Sequence, residues 1–170
     1  MRRLTFSLGE RMVLIPVELS LLVKPSLAIL LVVFILSGIG PDVFSFSAAW
    51  YRGLNGVLAY LLGVLAGAVI VPILLPWLPA RRFYIKGILT GLVAGILALP
   101  VIRIGNRIPE ILSLLLITTV VSSYAAMNFT GATPFTSPSG VEKEMRQAIP
   151  AQIIALAAAV AAWVTTPFIS

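Results

Sequence analysis

The sequence predicts an all-α integral membrane protein: a five-helix transmembrane bundle preceded by an interfacial or re-entrant N-terminal helix. Three observations carry this. Of 170 residues, 59% are hydrophobic and 11% charged, with a mean hydropathy of +1.07, more apolar surface than one soluble core of this size buries. The charges fall in clusters separated by neutral runs at 25–41, 53–80, 87–102, 111–141 and 147–170, each close to or above the roughly 17 to 25 residues that cross about 30 Å of hydrocarbon as a helix. The basic residues are also unevenly divided. If five spans alternate, Arg2, Arg3, Arg11, Lys24, Arg81, Arg82, Lys86, Lys143 and Arg146 share the side of the N-terminus, and only Arg52, Arg103 and Arg107 lie opposite. The positive-inside rule then places the N-terminus in the cytoplasm and the C-terminus outside, in the inner membrane of the cell.

Cysteine and histidine are both absent. This excludes disulfides, thiolate nucleophiles, imidazole bases and the usual zinc and iron–sulfur ligand sets. The net charge of +6 follows from topology and calls for no nucleic acid; membrane lipid is the partner it implies.

Residues 1–25 read as a cytoplasmic tail and a short helix, and 26–170 as the transmembrane domain, with spans at about 26–40, 54–76, 83–102, 109–128 and 148–169. Acidic residues interleaved with the apolar ones at Glu10 and Glu18, and no small-residue cleavage site, argue against a cleaved signal peptide. In Arg11 to Pro25, RMVLIPVELSLLVKP, Pro16 and Pro25 bracket too few residues to span, so the stretch reads as an interfacial helix stopped at Pro25. Glu18 is the one acid held inside it. An intramembrane carboxylate is a functional candidate, and the plainer reading pairs it with Lys24 or Arg11 at headgroup depth.

The first span is aliphatic all round and closes at Gly38, Gly40 and Pro41. Asp42 to Arg52 reads as an outer loop with interfacial aromatics and no assigned chemistry. Gly63 and Gly67 on the second span let another helix approach, and Pro72 should kink its exit. On the third span Gly87, Gly91 and Gly95 form a doubled G-x-x-x-G packing face. That ridge packs either inside the monomer, where the second span offers a matching groove, or in a homo-oligomer. Arg81, Arg82 and Lys86 form a basic collar suited to anionic headgroups.

The fourth span, opened by Pro109, changes character in its second half, where Thr118, Thr119, Ser122 and Ser123 put hydroxyls on one stripe. In lipid such a stripe must face protein or water, so it is either interhelical hydrogen bonding or a polar vestibule. It leads into Met127 to Met145, MNFTGATPFTSPSGVEKEM. The prolines and glycines there predict a shaped loop. Ser139 and Glu142 form a capping box for a helix starting near Gly140, on which Glu142 and Arg146 pair at i,i+4. Asn128-Phe129-Thr130 matches a glycosylation sequon, which carries no weight on the cytoplasmic side. The fifth span is alanine-rich, with Pro150 expected in its first turn.

The loop MNFTGATPFTSPSGVEKEM and the stretch RMVLIPVELSLLVKP resemble the C-terminal transmembrane domain of the corrinoid protein of microbial mercury methylation. That family is related to the corrinoid subunit of the CO dehydrogenase/acetyl-CoA synthase complex. The resemblance runs from about Arg11 to the end, with Asn-Phe-Thr-Gly and Thr-Ser-x-Ser-Gly-Val as its most specific parts. It implies five membrane helices below a cytoplasmic cobalamin domain whose cap-helix cysteine approaches cobalt. This chain has no cysteine and holds no such soluble domain, so the methyl-transfer residues do not carry over, and the chain is not expected to be catalytic alone. What the resemblance implies is a membrane module without a cofactor of its own. Its docking loop, at Asn128, Thr130, Gly131, Thr136, Ser137, Ser139, Gly140 and Glu142, would face a corrinoid protein supplied by another chain, with a ferredoxin-like protein as a further partner. The residues by themselves also allow a small-solute transporter or channel lined by the fourth-span stripe, or a simple membrane anchor.

Overall fold

The computed structural model describes residues 8–102, 107–131 and 138–169, and they form a helical bundle. Its elements are α1 (Leu8–Ser37), a hairpin of two-residue strands β1 (Ile39–Gly40) and β2 (Val43–Phe44), α2 (Phe46–Leu65), a π-helical segment (Ala66–Ile70), α3 (Val71–Leu74), α4 (Phe83–Ala98), α5 (Ile108–Gly131) and α6 (Pro138–Thr165) with a closing 3₁₀ turn. Four helical stretches are long and apolar enough to cross a membrane, and α4 is a shorter apolar helix. The chain is a multi-pass membrane protein by this measure.

The boundaries correct several expectations. Among the described residues, 11–25 form no separate interfacial helix: α1 runs unbroken through Pro16 and Pro25. A proline deletes one backbone hydrogen bond, whereas a break would leave a whole turn of unsatisfied groups at membrane depth, so helices in lipid tolerate the residue. The outer loop is also shorter than 42–52. Ser45, with extended backbone (φ −117°, ψ 119°), caps α2 by accepting from the Ala48 amide, which moves Phe46, Trp50 and Tyr51 onto the first turns of the helix. Phe34 of α1 meets Phe46 and Trp50 edge-on at 6.2 and 6.3 Å. Gly53 and Gly56 let Phe34 and Val33 approach the α2 backbone.

Before Pro72 the helix loosens into the π segment, which takes up the clash that a proline ring makes with the preceding turn. The α4 helix stops at Ala98, short of the expected 102: Leu99 keeps helical dihedrals (φ −51°, ψ −40°) but its amide bonds back to Ile96 O, and Pro100 has no amide to continue the ladder. The fourth span overruns its expected end: Asn128, Phe129, Thr130 and Gly131 are the last turn of α5 and no part of a loop. The α6 helix begins at Pro138, two residues before Gly140, and Pro150 lies in its interior instead of its first turn. What remains of the 127–145 loop is 132–137, outside the described residues.

The hub is α5, which packs on α2, α4 and α6, while α1 leans mainly on α2. The two glycine rows do not pack on each other. A Cβ on Gly63 would meet Thr118 O at 2.8 Å, and one on Gly87 would meet Ser122 O at 2.6 Å. Both rows therefore seat α5, which approaches α2 on one side and α4 on the other. A buried cluster of Ala59, Ile102, Leu114, Ile117, Ala159 and Trp163 joins α2, α5 and α6.

Candidate functional site

The end of the bundle that carries the α5–α6 junction is built from both flanks of the resemblance. On the α5 side Phe129 is fully buried, its ring 6.5 Å from that of Phe83 at the start of α4. On the α6 side the motif Glu142-Lys143-Glu144 splits between two faces, since residues two apart on a helix point in different directions. Glu142 faces out with Lys143, and its carboxylate accepts from Arg146 at 2.7 Å, as the i,i+4 spacing predicts. Glu144 faces in, only 8% exposed, and accepts from the Tyr84 amide at 2.9 Å.

That last bond explains how α4 starts. Its N-cap residue Arg82 makes no side-chain cap, so Glu144, 60 residues further on, satisfies an amide that would otherwise be an orphan and places negative charge at the positive end of the helix dipole. Lys86 does the complementary work. It is buried, its ammonium donating to Leu75 O at 2.8 Å and standing over the Phe83 ring at 5.7 Å, so it closes the end of α3 and does not belong to an exposed collar for headgroups. Glu144→Ala should lower stability by about 1 kcal/mol, as loss of a helix cap does. Glu142→Ala, on an exposed pair worth a few tenths of that, should leave thermal unfolding in detergent nearly unchanged.

Of the eight residues expected in a docking loop, Asn128 lies half-buried on α5, Gly140 and Glu142 lie on α6, and Thr130, Gly131 and Ser139 sit on helix termini with side chains outside the described set. Thr136 and Ser137 lie outside the described residues altogether.

Three of the four hydroxyls of the α5 stripe are consumed in packing. Thr118 donates to Ala59 O at 3.1 Å and to Leu114 O at 2.9 Å. Ser122 shares a hydrogen bond with Thr90 at 3.2 Å, and Ser123 donates to Tyr84 O at 3.2 Å while accepting from Gln152 at 2.8 Å. Thr119 Oγ1 is buried without a described partner. One serine thus ties α4, α5 and α6 together, and the stripe holds helices instead of lining an opening.

Sequence reasoning missed a second polar centre at the opposite end. There Arg52, placed in an outer loop with no chemistry, enters the bundle. Its guanidinium donates to Ser37 O at 3.3 Å and to Trp163 O, lies 4.7 Å from the Trp163 ring centroid, and stands 4.0 Å from the Glu110 carboxylate. Trp163 in turn donates to Ser37 Oγ at 3.0 Å. Four helices meet on this one cation. The available signal was that Arg52 and Glu110 each stand in the first turns of a span, at the same end.

Glu18 is 7% exposed. It makes no ion pair with Lys24 or with any other described residue, and the side chain of Arg11, the other expected partner, lies outside the described residues. Compared with protein-family models, with curated proteins and with solved structures, the chain finds no match in any of the three.

Proposed function

We propose that this chain is a membrane module that docks a corrinoid-dependent methyl-transfer protein at the α5–α6 junction, and that it is not a complete enzyme by itself. In this reading the N-terminus and the junction are cytoplasmic and the C-terminus is external. The corrinoid, and any iron–sulfur centre of a ferredoxin-like protein, belong to the partners. One observation supports it above the rest: the segment that carries the resemblance emerges from two helix ends pinned to α4 by Phe129 and Glu144, while Glu142, Lys143 and Arg146 on the same turns point outward. A rigidly held, charged helix end suits recognition of a soluble partner, where rim charges set orientation and association rate. A transport reading would need a lining other than the α5 stripe, whose hydroxyls bond across helices.

The test is capture, by the detergent-solubilised protein, of a soluble corrinoid protein encoded by a neighbouring gene. Reversing both exposed cations, Lys143→Glu with Arg146→Glu, should weaken capture at least about tenfold, since like-charge juxtaposition costs several kcal/mol, with little change in melting temperature. Undiminished capture, or no capture by the parent protein, would overturn the docking reading and leave transport, tested by flux, and a simple anchor.

A further inference from the structure

Because α1 leans on α2 and barely reaches α6, a groove of about 640 Å³ runs between α1, α5 and α6, with Tyr60 of α2 in its wall. Its volume is in the range of about 300–1,000 Å³ usual for small-molecule sites. Polarity along it is graded. Towards the far end the lining is Ile29, Val33 and Val160, whereas Glu18, Asn128 and Gln152 gather towards the end that carries the α5–α6 junction. Asn128 lies three residues from the end of α5, and Gln152 is level with Ser123, to which it donates.

Glu18 is the feature that the fold does not account for. It is more than nine-tenths buried, lines the groove, and has no hydrogen-bond or ion-pair partner among the described residues. A carboxyl group at membrane depth without a partner is costly, and such groups mark ligand or ion sites. Among the described residues no cation or strong donor meets it, and what lies beyond it is a channel for hydrocarbon. We infer that the groove is a lipid site that takes an aminophospholipid from the leaflet on that side, with the ammonium on Glu18 and an acyl chain laid along α1 and α6 towards Val33 and Val160.

A partner's transmembrane helix fits the groove less well. It would bring its own polar group to Glu18 only at one position along its length. A lipid supplies both halves at once. This inference is independent of the corrinoid reading, because the groove is lined by none of the exposed charges Glu142, Lys143 and Arg146.

The experiment is native mass spectrometry of the purified protein after exchange into equal amounts of phosphatidylethanolamine and phosphatidylglycerol with matched acyl chains. The parent should retain one phosphatidylethanolamine with about a tenfold preference, the scale of one charge-assisted hydrogen bond. Glu18→Gln should keep its melting temperature and lose the preference. Ile153→Trp, at a groove-lining position 61% exposed, should lose both lipids while folding normally. Equal retention of the two lipids by the parent, an unchanged preference in Glu18→Gln, or a second copy of the chain retained in place of lipid would each overturn the assignment.

Discussion

Arg52→Met is expected to be among the most damaging single substitutions in the bundle, at about 3 to 5 kcal/mol. The Arg52 side chain is 12% exposed and that of Glu110 7%, so removing the cation strands a buried carboxylate. It also strips a donor from two main-chain carbonyls, those of Ser37 and Trp163. The ion pair itself is long at 4.0 Å, and Arg52 Nε has no hydrogen-bond acceptor. The attraction is therefore Coulombic rather than a close bidentate contact. From this asymmetry Glu110→Gln should cost less than Arg52→Met, because Arg52 keeps its carbonyl partners and the Trp163 ring. The double substitution should cost less than the sum of the two, by at least about 1 kcal/mol, as coupled neighbours do. Unfolding in mixed micelles, titrated with a denaturing detergent, measures all three. Strictly additive losses would show that the two charges do not interact.

Gly91→Leu should cost about 3 kcal/mol, by forcing α4 off α5. A Cβ at Gly91 would stand 2.7 Å from Ser122 Cβ and 2.9 Å from Thr119 Cα, and one at Gly87 would stand 2.6 Å from both Ser122 O and Ser123 Cα. Several of these neighbours are main-chain atoms, which no change of rotamer can move aside. Overpacking costs about 1 to 3 kcal/mol. Separation of the helices would also stretch the Thr90–Ser122 and Ser123–Tyr84 O bonds, each worth about 0.6 kcal/mol in a membrane protein. Gly9→Ala is the contrast, because a Cβ there meets nothing within 4 Å, and the change should be neutral or slightly stabilising through helix propensity. A Gly91→Leu protein that unfolds with the parent would place the ridge against lipid.

Chemistry that is local in the chain was legible in the sequence. Composition and the spacing of charges gave the helical membrane class, because the thickness of hydrocarbon sets how many apolar residues a span needs. The i,i+4 interval gave the Glu142–Arg146 pair, because helix geometry alone brings those side chains together. The small-residue spacing marked the faces of α2 and α4 that allow close approach. It could not name their neighbour, since glycine offers the same groove to any helix.

Only the tertiary structure decided what those faces meet. It seated both glycine rows on α5, turned the hydroxyl stripe from a candidate vestibule into a set of ties, and carried Glu144 to the start of α4 and Arg52 to Trp163, across 60 and 111 residues. It also joined the N-terminal stretch and the first span into one helix and left Glu18 facing a groove instead of Lys24. The physical reason is common to all of these. In lipid the hydrophobic effect scarcely prefers one helix pairing over another, so the arrangement is selected by backbone fit and by the need to satisfy each buried polar group, and both depend on every helix at once.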